Sequence, residues 1–82
     1  MQFAVFYNSE AKKDLRGLSP EVAARIIAKI DVLSRDLSGN VKRLHHMRPQ
    51  YRLRVGDWRV LFEVEDNRIV IYRVSHRSIA YE

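Results

Sequence analysis

The sequence predicts an α+β domain: a strand, a helical hairpin, then a three-stranded antiparallel meander, all in one mainly antiparallel sheet with the helices on one face. Three observations predict it. Residues 2–7 are rich in Phe, Val and Tyr, which favour extended backbone. Residues 8–40 carry capping residues and an apolar stripe at helical spacing. Residues 51–75 hold three β-type runs separated by two short turns.

Each element follows from local chemistry. After the first strand, Asn8-Ser9 offers an N-cap and Glu10 lies in the first turn, near the positive end of the helix dipole. This short helix runs through Leu15 and stops at Gly17, a residue type common just past helix ends. Ser19-Pro20-Glu21 opens the next helix with a capping hydroxyl, proline at the first helical position and an early acid. Val22, Ile26, Ile27, Ile30, Leu33 and Leu37 make its apolar stripe, and Ser38-Gly39-Asn40 ends it. Residues 41–50 read as a basic connection.

The hairpin Val55-Gly56-Asp57-Trp58 has glycine first in a two-residue turn, which suits type II′. That turn sets Val55 opposite Trp58, Arg54 opposite Arg59 and Leu53 opposite Val60. Alternation then puts Arg52, Arg54 and Arg59 on one face and Leu53, Val55, Trp58 and Val60 on the other. Glu65-Asp-Asn67 is the next turn and residues 68–75 the last strand. Its register stays open. A two-residue turn, favoured by Ile69 and Ile71, aims Arg73 at the apolar side; a three-residue loop brings Arg73 opposite Arg59.

Eighty-two residues make a single domain, 1–82, near the size at which one core is only just adequate. Without cysteine there is neither a disulfide framework nor a thiolate metal site. No run approaches the roughly 18–20 apolar residues of a membrane span, and the start lacks the basic and long apolar regions of a signal peptide. A cytoplasmic protein is expected. Residues 1–41 hold six Lys/Arg against five Asp/Glu, whereas residues 42–82 hold nine against five. Most of the net charge of +5 thus lies in the second half, in and around the strands. Such asymmetry points to a polyanion or an acidic partner; lacking a polybasic amphipathic helix, a membrane is not the expected one.

Directly opposed like charges on a sheet cost up to ~1 kcal/mol per pair. Arg54 against Arg59 therefore implies either a fully solvated face or a bound anion. The run Tyr51-Arg-Leu-Arg-Val-Gly-Asp-Trp-Arg-Val-Leu-Phe-Glu-Val64, with Ile69-Val-Ile-Tyr-Arg-Val-Ser-His-Arg77 and Tyr81, resembles the RelE/ParE superfamily of toxins, its RelE branch in particular. The order of elements matches along the whole chain.

The resemblance implies the toxin of a type II toxin–antitoxin system. Its RelE branch acts as a ribosome-dependent endoribonuclease cutting messenger RNA in the A site, without metal or other cofactor. It implies a cognate antitoxin, the ribosome and messenger RNA as partners, with operator DNA reached only through the toxin–antitoxin complex. By position it assigns Arg52 and Arg54 to the first hairpin strand, Arg59 to the second, and Arg77 and Tyr81 to the end of the chain. Some relatives carry lysine where this chain has Arg52 and Arg54; arginine cannot readily trade a proton, so both read as electrostatic clamps.

Such cleavage uses the RNA's own 2′-OH as nucleophile against the adjacent phosphate. The protein must align the backbone, stabilise the phosphorane and manage two protons. Guanidinium forks suit the second task, and Arg54, Arg59 and Arg77 are the candidates. Tyr81 is the candidate base by family position, its phenolate favoured by nearby arginines. Histidine is the side chain suited to proton transfer near neutral pH, and His76 is a candidate acid or base. Lys42, Arg43, Arg48, Arg52 and Arg73 are candidate RNA contacts, and no Asp/Glu/His cluster has metal-ligand spacing.

Plainer readings stand beside these. The arginines could be an ordinary solvated face, Tyr81 a frayed terminal residue and His76 a turn residue. Adjacent His45 and His46 read as loop residues, and Trp58 as core. A ParE-like inhibitor of DNA gyrase, or a binding domain for RNA or an acidic antitoxin segment, are the competing functions.

Overall fold

The computed structural model describes residues 2–45 and 48–77. The elements are β1 (Ala4–Tyr7), α1 (Ser9–Arg16), α2 (Pro20–Asp36), β2 (Val41–Arg43), β3 (Tyr51–Val55), β4 (Trp58–Glu65) and β5 (Arg68–His76). The strands form one sheet in the order β1-β5-β4-β3-β2. β1 runs parallel to β5 and every other pair is antiparallel. The expected α+β architecture is present, with one addition. The segment read as a basic connection contains a short edge strand, β2, in which Lys42 opposes Arg52.

The helices start where their caps dictate. Asn8 Oδ1 accepts the Ala11 N–H at 2.9 Å, and Ser19 Oγ accepts the Val22 N–H at 3.3 Å. Their ends fall at or beside the expected residues. Gly17 closes α1 with ordinary right-handed backbone (φ −82°), and α2 ends on Leu37 in the left-handed region (φ 60°), two residues before Gly39. Gly56 does use positive φ (59°), as a type II′ turn requires, and a Cβ there would meet Arg25 Nη2 at 2.8 Å.

The core lies between the helices and one face of the sheet. Ala11, Ile26, Ile30 and Leu33 pack with Leu53, Val55, Val60, Phe62, Ile69, Ile71 and Val74 in a single cluster. Tyr51 stacks on Phe62 with ring centroids 5.5 Å apart. The apolar stripe of α2 is narrower than its sequence suggested: Ile27 and Leu37 are exposed. No helix among the described residues is long and apolar enough to cross a membrane.

β5 resolves the open register by a third route. The turn is two residues long, since Glu65 pairs with Arg68. Ile69 and Ile71 are fully buried, as that turn demands. The register then shifts: Phe62 pairs with Ile71 but Leu61 pairs with Arg73, leaving Tyr72 as an extra residue. This bulge inverts the alternation beyond it, so Val74 enters the core and Ser75 comes opposite Arg59.

Candidate functional site

The face of the sheet turned away from the core cluster carries Lys42, Arg52, Arg54 and Arg59. At one level across three strands lie Arg54, Arg59 and Ser75, paired in that order. One level over, Lys42 opposes Arg52, and Arg52 opposes Leu61. Arg54 and Lys42 are exposed, whereas Arg59 is only 8% exposed. Leu61 pairs with Arg52 on one side and Arg73 on the other, and is only 9% exposed.

Arg59 is the centre of this arrangement. Its Nη1 makes two long hydrogen bonds, to the Gly56 carbonyl at 3.5 Å and the Trp58 carbonyl at 3.3 Å. Its Nε is buried without a hydrogen-bond partner, as is Nε of Arg52. Among the described residues, none of Arg52, Arg54 and Arg59 forms an ion pair. A buried donor left unsatisfied costs about 1–3 kcal/mol. Two such donors beside a directly opposed like charge are a poor arrangement for stability and a good one for an anion.

Arg77 follows the end of β5, two residues after Ser75. Its N–H donates to the Asp57 carbonyl at 2.8 Å, which ties the strand end to the β3–β4 turn. Its guanidinium is 3.9 Å from the Asp57 carboxylate with both side chains mostly exposed, so that pairing holds it weakly. At the opposite end of the face, Glu63 is buried and accepts the Gln50 N–H at 2.8 Å. It also lies 3.9 Å from exposed Arg48, so the loop entering β3 brings Arg48 to the same face.

Three expected site residues lie elsewhere. His76 pairs with Trp58 and sets its ring edge-on to the indole, centroids 5.3 Å apart, on the helix side. It follows Ser75 in an alternating strand, so placing Ser75 beside Arg59 turns His76 away; the expected proton carrier is not at the arginine face. Arg73 is committed to α1: Nε and Nη2 donate to Asp14 at 2.9 and 3.3 Å. Hydrogen bonding to Asp14, and then its charge, raise the Arg73 guanidinium above its ordinary value. Arg43 opposes Tyr51 and so takes the opposite face from Lys42. Tyr81 and His46 lie outside the described residues, and His45 is an exposed turn residue. Sequence reasoning missed buried Ser75 and Glu63; a fixed β4–β5 register would have exposed the first, while the second needed the fold.

Residues 5–81 of the chain match the family model for the ParE toxin of type II toxin–antitoxin systems. Toxin RelE3 of Methanocaldococcus jannaschii is 31% identical over an alignment of 75 positions, and the match covers 85% of this chain and 85% of that one. Among solved structures, a chain of the RelBE2 toxin–antitoxin complex of Mycobacterium tuberculosis superposes with a TM-score of 0.82 at 28% identity, covering 95% of this chain and 94% of that one. A chain of the archaeal RelE–RelB complex of Pyrococcus horikoshii gives 0.78 at 26% identity, covering 98% and 100%.

Proposed function

We propose a function on one premise: the chain belongs to the RelE/ParE superfamily and is a toxin of the type II toxin–antitoxin class. Within it we read the chain as a ribosome-dependent endoribonuclease that cuts messenger RNA in the A site and stops translation in the cytoplasm. One observation carries this reading: Arg59 is buried with an unused Nε, faces Arg54 and meets no carboxylate among the described residues.

In this reading Arg54 and Arg59 grip the scissile phosphate, and Arg77 adds charge as the 2′-oxygen, giving up its proton, closes on phosphorus and the 5′-oxygen leaves, taking a proton from water. Arg52, Lys42 and Arg48 hold the flanking backbone. Tyr81 keeps the role of base that the family position gives it, and His76 takes no part. No metal or other cofactor is assigned a role. The similar structures include RelB–RelE complexes, which supports a cognate antitoxin as partner. We take operator DNA to be reached only through such a complex. The ParE family model supports a second reading, inhibition of DNA gyrase, in which the same face binds without cutting.

Purified protein added to a translation reaction separates the two. Messenger cut within ribosome-bound codons supports the nuclease. Intact messenger, with DNA broken in the presence of gyrase, supports the second reading and refutes the first.

A further inference from the structure

We propose that Asp14, on α1, is a positioning residue: by clamping Arg73 and the Val74 N–H it fixes the phase of the end of β5, and so delivers Ser75 and Arg77 to the arginine face. Its register role stands on the geometry alone. Its effect on cleavage rests on the nuclease reading above.

β5 enters the sheet with Ile69 and Ile71 on the core side. Unbroken alternation from there would send Arg73, Ser75 and Arg77 toward the core and Val74 away from it. The extra residue at Tyr72 reverses that order, and an error of one residue at this point would turn over everything downstream. The bulge falls where β5 loses its other neighbour. β1 makes its last pairing between Tyr7 and Ile71, and the chain then turns into α1 with the Asn8 N–H on the Ile71 carbonyl.

Asp14 occupies the vacated edge. Its Oδ2 accepts the Val74 N–H at 2.8 Å and Arg73 Nε at 2.9 Å, and its Oδ1 accepts Arg73 Nη2 at 3.3 Å. One carboxylate thus gathers three donors from the two residues that follow Tyr72. It supplies the acceptor that a further strand would have supplied, and it draws Arg73 to α1. α1 is itself fixed by the Asn8 cap and by Ala11 in the core. Burial of Val74 favours the same phase, so the test must remove the carboxylate and keep the valine.

The test compares the parent with Asp14→Ala and Asp14→Asn well below their unfolding temperatures. Cross-strand NMR contacts between Arg59 and Ser75, and exchange of the Val74 amide, report the register. Steady-state cleavage of ribosome-bound messenger reports its consequence. Asp14→Ala should weaken the Arg59–Ser75 contacts and speed Val74 exchange about tenfold or more. It should lower kcat about tenfold or more while KM stays within about threefold, since misplaced groups cost turnover rather than binding. Asp14→Asn keeps an oxygen for the Val74 N–H and should recover most of both. A single parent-like register with parent-like Val74 exchange in Asp14→Ala would overturn the proposal. If Asp14→Ala fails to fold, Asp14→Asn decides: a Val74 amide that exchanges without protection would overturn it, and protection near the parent level supports it. A parent that cuts no messenger would refute the nuclease reading and leave the NMR result to judge Asp14.

Discussion

Arg54 and Arg59 face each other directly across the β3–β4 hairpin, and neither meets a carboxylate among the described residues. A sheet selected for stability alone would place an acid or an apolar residue at one of the two positions. Replacing Arg59 by methionine keeps much of the buried apolar stem and removes the opposed, under-bonded guanidinium. The expected stability change is therefore neutral to about 1 kcal/mol favourable, while cleavage falls about 100-fold or more. Urea denaturation and cleavage assays on the same preparation check both halves. A stability loss above about 2 kcal/mol would make Arg59 a structural residue instead.

Arg77 lies just past β5, beside the β3–β4 turn that joins the strands of Arg54 and Arg59. Its backbone N–H holds the strand end, but among the described residues its side chain pairs only with Asp57, in an exposed pair. Arg77→Ala keeps the backbone bond and removes an ion pair worth about 0–1 kcal/mol, so the fold should survive intact. Cleavage should fall about 100-fold or more, as when a donor to a developing charge is removed. Activity within about threefold of the parent would deny Arg77 a part in the chemistry.

Lys42 and Arg43 are neighbours on β2 with opposite orientations, one beside Arg52 and the other beside Tyr51. They offer a test of the face that does not depend on catalysis. Binding to single-stranded RNA releases counterions, and the slope of log affinity against log salt drops by about 0.7 for each phosphate no longer neutralised. Lys42→Ala should reduce the slope by about that amount, and Arg43→Ala should leave it unchanged. Equal changes in both would mean that RNA meets the edge of the sheet and not the arginine face.

Much of this was legible because local chemistry determined it. The Asn8 and Ser19 caps, the Gly56-Asp57 turn and the register from Val55–Trp58 to Leu53–Val60 all follow from residues within a few positions of one another. What was not legible depended on distant partners or on ambiguous patterns. β2 is three residues of Val-Lys-Arg, too short and too charged to show alternation. In β5, the run Ile69-Val-Ile-Tyr-Arg-Val-Ser-His76 fits two phases, and the strand uses both by inserting a bulge. The partner of Arg73 is 59 residues away on α1, and no pattern in the chain couples the two. The sides taken by His76 and Ser75 follow from that bulge and so were hidden with it.

Tyr7 gives a pH dependence of known sign. It pairs with Ile71 at the end of β1 and is partly buried. Burial, and then the negative charge of Asp31, raise its phenol above the ordinary value. The folded chain thus keeps the Tyr7 proton at a pH where the unfolded chain has released it. The contribution to stability is complete below about pH 10 and is lost as pH rises from there through the folded value. Urea midpoints measured from pH 8 upward should fall at the alkaline end, and Tyr7→Phe should flatten the fall. Effects common to both proteins cancel in the difference. Parent and Tyr7→Phe midpoints that decline in parallel would show that the Tyr7 hydroxyl is not set by its surroundings in this way.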